Sequence, residues 1–262
     1  MDALIFTFLL YGLKAASSFH AAIYEYHAID TQKTWYDAQQ HCRTHYTDLA
    51  TFRNMEDIER FQRPASFTGN AWIGLFDDPA SWKRVMGNES NSWRWSSTGT
   101  TSPGGYQNWL SSEPDHHGAT NYCGLIRDGL WGDGGCTSQL PFVCFTESPD
   151  GSRHFTLVSA GKTWSAAQTH CRQYFTDLAT IRNEAENAAV ASVLVASQWT
   201  WFGLYRRPWR WSDGSTSPFR RWLPGQPNNG NGNQHCVWES DARYWNDMPC
   251  SNLQPFVCAK GE

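Results

Sequence analysis

Lysine is scarce: the chain has five in 262 residues, and Lys and Arg together number 21 against 25 Asp and Glu. The formal net charge is −4 and no basic run occurs, so there is no charge stripe for nucleic acid or an anionic membrane. None of the eight cysteines forms a Cys-x-x-Cys pair, which excludes zinc ribbons and thioredoxin-type redox sites. Long apolar runs are also missing. The longest, Ala3 to Leu13, is too short for a membrane span and suits the core of a signal peptide. No Ser-His-Asp or Cys-His arrangement sits in a glycine-rich turn, so no enzyme is predicted.

Tryptophan is plentiful, at 15 residues, which favours small aromatic cores over disordered or coiled-coil structure. The chain also repeats itself. Lys33-Thr34-Trp35 through Cys42-Arg43 to Thr47-Asp48-Leu49-Ala50-Thr51 returns as Lys162-Thr163-Trp164 through Cys171-Arg172 to Thr176-Asp177-Leu178-Ala179-Thr180, and 15 of the 22 positions from 33 to 54 are identical. Pro141-Phe142-Val143-Cys144 likewise matches Pro255-Phe256-Val257-Cys258. A long unit repeated once predicts two tandem globular domains, since solenoids need at least three shorter units. The boundaries expected are a signal peptide at 1–18, a first domain at 19–146 and a second at 152–262, with a short linker between. A membrane anchor is the competing reading of the N-terminus. The cysteines divide four and four (Cys42, Cys123, Cys136, Cys144; Cys171, Cys236, Cys250, Cys258). That count predicts two disulfides per copy and an oxidising compartment, with three connectivities open in each.

Each copy opens on a short strand, at 23–27 and 154–158. A helix follows, capped by Thr34 or Thr163, with Trp35, Ala38 and Cys42 (Trp164, Ala167 and Cys171 in the second copy) on its inward stripe. Second helices are predicted from Asn54 and Asn183. Beyond them, Ala71-Trp72-Ile73-Gly74-Leu75, Trp201-Phe202-Gly203-Leu204 and the pairs Trp93-Arg94-Trp95 and Trp209-Arg210-Trp211 read as half-buried strands. Gly, Pro, Asn and Ser dominate 103–121 and 218–234, and loops of that length in compact domains are more often functional than not. The fold class predicted is α+β.

The order of these anchors, seen twice, resembles the C-type lectin-like domain. The resemblance implies two helices, small antiparallel sheets and a long irregular ligand loop in each copy. It also implies bridges Cys42–Cys144 and Cys123–Cys136, then Cys171–Cys258 and Cys236–Cys250. In lectins of that family a calcium ion in the long loop also coordinates sugar hydroxyls. Its ligands are two side chains flanking a cis proline, an acidic residue two before the third cysteine, and an Asn-Asp pair after a Trp. Calcium takes six to eight oxygens, so clustered Asp, Glu, Asn and Gln are suitable donors.

In the second copy this pattern implies metal ligands at Gln226, Asn228, Gln234, Asn246 and Asp247, with sugar contacts from Gln226, Asn228, Asn246 and Asp247. Gln234 stands where the family usually has a carboxylate, which leaves Asp247 as the single anion and predicts calcium affinity of about 10⁻⁴ to 10⁻³ M. Glu-Pro-Asn goes with mannose-like and Gln-Pro-Asp with galactose-like ligands in the family; Gln226-Pro227-Asn228 is neither. In the first copy Glu113, Asp115, Asn121 and Asp133 form a weaker match, because Trp131-Gly132-Asp133 has lost the turn asparagine. His116-His117 lacks a third ligand for zinc and reads as solvated loop. Asn88-Glu89-Ser90 is a glycosylation sequon.

The function expected is that of a secreted, extracellular lectin binding glycans or glycoproteins through calcium in its second copy, the first being degenerate. A single shallow site is weak, so clustering or an oligomer would supply avidity. The alternative is a calcium-independent protein-binding module of the same fold.

Overall fold

A computed structural model describes residues 24–83, 85–88 and 90–261. The expected signal peptide at 1–18 lies outside the described residues. In chain order the strands and helices are β1 (Tyr24–Lys33), α1 (Trp35–His45), β2 (Asp48–Leu49), α2 (Met55–Arg60), β3 (Ala71–Phe76), α3 (Ala80–Lys83), β4 (Trp93–Trp95), β5 (Asn121–Arg127), β6 (Leu130–Gly135), β7 (Leu140–Glu147) and β8 (Arg153–Lys162). There follow α4 (Trp164–Tyr174), β9 (Asp177–Leu178), α5 (Glu184–Val193), β10 (Thr200–Arg206), β11 (Arg210–Trp211), β12 (Cys236–Glu239), β13 (Trp245–Met248) and β14 (Gln254–Gly261).

The helices start where their caps dictate. The Thr34 hydroxyl accepts the Asp37 N–H at 3.2 Å and the Thr163 hydroxyl that of Ala166 at 3.3 Å. Asn54 and Asn183 cap α2 and α5 in the same way, each cap satisfying an N–H that the helix leaves unpaired. Trp35, Ala38 and Cys42 are fully buried, as the stripe predicts. The glycine in each Trp-x-Gly-Leu segment lets β3 and β10 lie flat on the strand behind. A Cβ on Gly74 would stand 3.0 Å from the Leu49 carbonyl, and one on Gly203 2.8 Å from that of Leu178. Both glycines donate across this gap, to Ala50 and Ala179, at 2.8 Å.

Two seven-stranded sheets result. One runs β1-β14-β3-β12-β13, with β2 on β14 and β11 on β3; the other runs β8-β7-β10-β5-β6, with β9 on β7 and β4 on β10. Each sheet therefore mixes the two copies, its opening strands from one and its closing strands from the other. The expectation that residues 19–146 and 152–262 each close on themselves is corrected here. The expected linker is instead the turn of a hairpin, in which Ser148 N–H donates to the Ser152 carbonyl at 2.9 Å and β7 pairs with β8 from Glu147↔Arg153 to Leu140↔Lys162.

The bridges follow the sheets. Cys42 joins Cys258, and Cys144 joins Cys171, in place of the expected Cys42–Cys144 and Cys171–Cys258. In each case helix and closing strand are still tied together, but they belong to different copies because the strands have exchanged. The short-range bridges are Cys123–Cys136 and Cys236–Cys250.

The exchange takes place at equivalent points of the repeat. The chain leaves β3 at Asp77 and β10 at Arg206, and crosses to the other sheet. Arg206 donates to both carboxylate oxygens of Asp77 at 2.8 Å, and both side chains are almost fully buried. Burial alone would push the Asp77 carboxyl up, but the Arg206 guanidinium overrides it and holds the group below its ordinary value. Trp82 lies under the guanidinium at 5.1 Å. The second crossing is only Arg207-Pro208-Trp209, and Trp209 has φ +60°, a strained conformation for a bulky residue. Arg220 holds it by donating to the Trp209 carbonyl.

Cutting the backbone at a protease site engineered into the 148–152 turn is expected to leave the two pieces covalently joined until reductant is added. Pieces that separate without reductant would place the bridges within each copy instead. Arg206→Ala strands a buried carboxylate and is expected to cost about 3–5 kcal/mol in urea unfolding. A loss below about 1 kcal/mol would mean that the crossing does not depend on this pair.

Candidate functional site

The second motif is built around Asp247. It lies on β13, paired with Val237 of β12, and is fully buried. Both of its oxygens face the long loop. Asn228 N–H reaches them at 3.1 and 3.2 Å, and Asn229 N–H reaches Oδ2 at 2.6 Å. Those N–H groups converge because Gln226–Pro227 is cis and Asn229 is left-handed at φ +45°. Asn228 Oδ1 and Gln234 Oε1 meet on one donor, the Gly230 N–H, at 2.9 and 2.5 Å. Gln226 Oε1 and Asn246 Oδ1 are buried with no hydrogen-bond partner among the described residues. Burial also raises the Asp247 carboxyl above its ordinary value, against the backbone N–H groups that lower it.

The first motif repeats this construction. Asp133 on β6 accepts the N–H of Asp115 and of His116, each at 3.0 Å. Glu113–Pro114 is cis, and His116 is left-handed at φ +53°. The charge differs. Glu113, Asp115 and Asp133 bring carboxylate oxygens within 4.8 Å of one another. Burial, then hydrogen bonding and charge from Glu113, push Asp133 up to about 8. The Asn121 side-chain amide donates to the Asp133 carbonyl at 3.3 Å. Gly132 occupies the position of Asn246, and the Trp199 ring stands 3.0 Å from where its Cβ would be. The turn amide has been replaced by a tryptophan edge.

His116 is a correction. It was expected in solvent and is fully buried, with Nε2 at 3.2 Å from Asp77 Oδ2. Burial first, and Arg206 next, push it down to about 4, so it is neutral at physiological pH. Its carbonyl accepts the Asn229 side-chain N–H at 3.1 Å, so the two long loops touch directly. Asn229, Asp77 and Arg206 escaped the sequence reading. The one available signal was the opposite charge of Asp77 and Arg206 at equivalent repeat positions. Asn88 of the sequon is exposed, on the first crossing segment.

Both motifs offer only oxygen donors, as a hard divalent cation requires. The buried, unpartnered Gln226 Oε1 and Asn246 Oδ1 are acceptors that such an ion would satisfy.

The family model of the lectin C-type domain matches residues 31–146 and 160–260. C-type mannose receptor 2 of Mus musculus is 27% identical over 263 aligned residues, covering 87% of this chain and 17% of the mouse protein. The chain thus spans about a sixth of that relative's length. Ladderlectin of Oncorhynchus mykiss is 34% identical over 116 residues, 40% of this chain and 60% of ladderlectin. C-type lectin BfL-2 of Bungarus fasciatus is 33% identical over 123 residues, 42% of this chain and 78% of its own. With the family model covering most of its length, the chain belongs to the C-type lectin domain family.

Proposed function

We propose that this protein is an extracellular lectin that binds carbohydrate with the aid of calcium at its second motif. The observation that carries the reading is the pair of buried oxygens without partners, Gln226 Oε1 and Asn246 Oδ1. Gln226, Asn228, Gln234, Asn246 and Asp247 would hold the ion. When bound, calcium supplies open coordination positions for vicinal hydroxyls. The amides of Gln226, Asn228 and Asn246 hydrogen-bond those hydroxyls. Asp247 fixes the loop through the N–H groups of Asn228 and Asn229. Four disulfides suit an oxidising compartment.

The first motif is assigned an ion without a sugar. Its three clustered carboxylates, Glu113, Asp115 and Asp133, exceed the single anion of the second motif, so calcium is held more tightly there. Gly132 offers a hydroxyl no amide, and Trp199 fills the space. The lone anion of the second motif also supports a second reading, recognition of protein surfaces without metal.

Retention of the full chain on mannose and galactose columns decides between the two. Calcium-dependent retention, released by EDTA and abolished by Asn246→Ala, is expected, with Glu113→Gln leaving it unchanged. A folded, oxidised protein that passes through both columns would favour the metal-free reading. The first motif predicts a pH signature. Asp133 rises to about 8 in the folded protein from near 4 unfolded. Its penalty on folding is therefore absent at low pH, grows as pH climbs between those values and is full above the higher one. In EDTA, Asp133→Asn is expected to gain Tm over the native chain as pH goes from about 5 to about 8. A constant difference would mean the carboxylates are not crowded.

A further inference from the structure

The exchange of strands creates a groove beside the second motif. It measures about 910 Å³, and Pro227, the proline between Gln226 and Asn228, forms part of its wall. The half-buried aromatics Tyr122 and Trp222 line it, as do Arg207, Arg210 and Arg220. A second hollow of about 400 Å³, with Arg94 and Tyr205 in its wall, shares Arg207 and Arg210 with the first. Among the described residues no Asp or Glu lines either one. In a chain of net charge −4, that is a local reversal of sign.

The arginines differ in how far they are committed. Arg206, at the groove floor, is neutralised by Asp77. Arg220 donates to the carbonyls of Ser217, Phe219 and Trp209 and has no carboxylate partner. Arg207 and Arg210 are exposed, and among the described residues neither forms an ion pair. The Arg210 guanidinium lies over the Phe76 ring at 5.3 Å, a contact that steadies it without neutralising its charge. Two guanidiniums on a ridge between hollows, beside aromatic faces, suit planar anionic groups carried on a chain of sugar rings.

We propose that this groove binds an acidic oligosaccharide. Arg207 and Arg210 take its sulfate or carboxylate groups, Tyr122 and Trp222 its ring faces, and one end lies at the Gln226–Asn228 motif. That last element rests on the calcium-lectin reading above; the recognition of anionic groups does not. It makes the ligand an extended acidic glycan rather than a single neutral sugar.

The test is calorimetry of the full chain, in calcium and in EDTA, with three hexasaccharide probes. These are a chondroitin sulfate hexasaccharide, its desulfated form that keeps the carboxylates, and a neutral hexasaccharide. At least one acidic probe is expected to bind more tightly than the neutral one, by an amount that falls with salt. The sulfated and desulfated arms identify which anion matters. Arg207→Gln combined with Arg210→Gln is expected to cost that probe about tenfold in affinity. Tm and calcium-dependent retention on neutral sugar columns should not change, since both side chains are exposed. Equal affinity for all three probes, or a double variant that binds the acidic probe as the native chain does, would overturn the proposal. Binding that needs both arginines but ignores EDTA would support the anion groove and overturn the calcium reading at its end.

Discussion

The buried pair of Asp77 and Arg206 stands where the chain changes sheets, and the arrangement of everything beyond it follows from that exchange. The two residues occupy the same place in the repeat, at the ends of β3 and β10, so each copy supplies one charge to a shared contact. A buried charge is tolerated only when paired and hydrogen-bonded. The bidentate geometry satisfies that requirement for both at once. His116 and Trp82 pack against the pair. Because His116 also begins the turn of the first long loop, the crossing and the ligand loops form one connected piece.

The repeat has kept a frame and changed its contents. In both motifs an aspartate on the second strand of a hairpin gathers the N–H groups of a loop that bends through a cis proline and a left-handed residue. Around that frame the first copy has gathered carboxylates and lost its turn amide, while the second has kept its amides and a single carboxylate. Ion affinity rises with anionic ligands, and recognition of a sugar hydroxyl needs groups that both donate and accept. On the function proposed above, the two demands are divided between the copies. Trp199 over Gly132 makes the division steric as well as electrostatic.

Much of this was legible in the residues. Thr34 and Thr163 announced their helices because a cap is a local hydrogen bond, and the stripe of Trp35, Ala38 and Cys42 announced its buried face through helical periodicity. The motif residues Gln226, Asn228, Gln234, Asn246 and Asp247 were named by the resemblance to the C-type lectin-like domain, whose pattern they match around Pro227 and Cys236. His116 was misread because its burial depends on Asp77 and Arg206, which are distant in sequence. The arginine ridge was invisible for the same reason: Arg207 and Arg210 gain a common face with Tyr122 only once strands from distant parts of an acidic chain are brought together.

The sequence by itself determined that the unit occurs twice and where the helices and strands of each copy begin, since these rest on contacts between near neighbours or on repeated patterns. Which copy closes which sheet was decided only by the tertiary structure. The repeats are alike enough that the closing strand of either copy can fit the opening strands of the other, so local pattern cannot distinguish the two pairings. The disulfides Cys42–Cys258 and Cys144–Cys171, the contact between the loops and the basic groove all follow from that single choice, which is made where Asp77 meets Arg206.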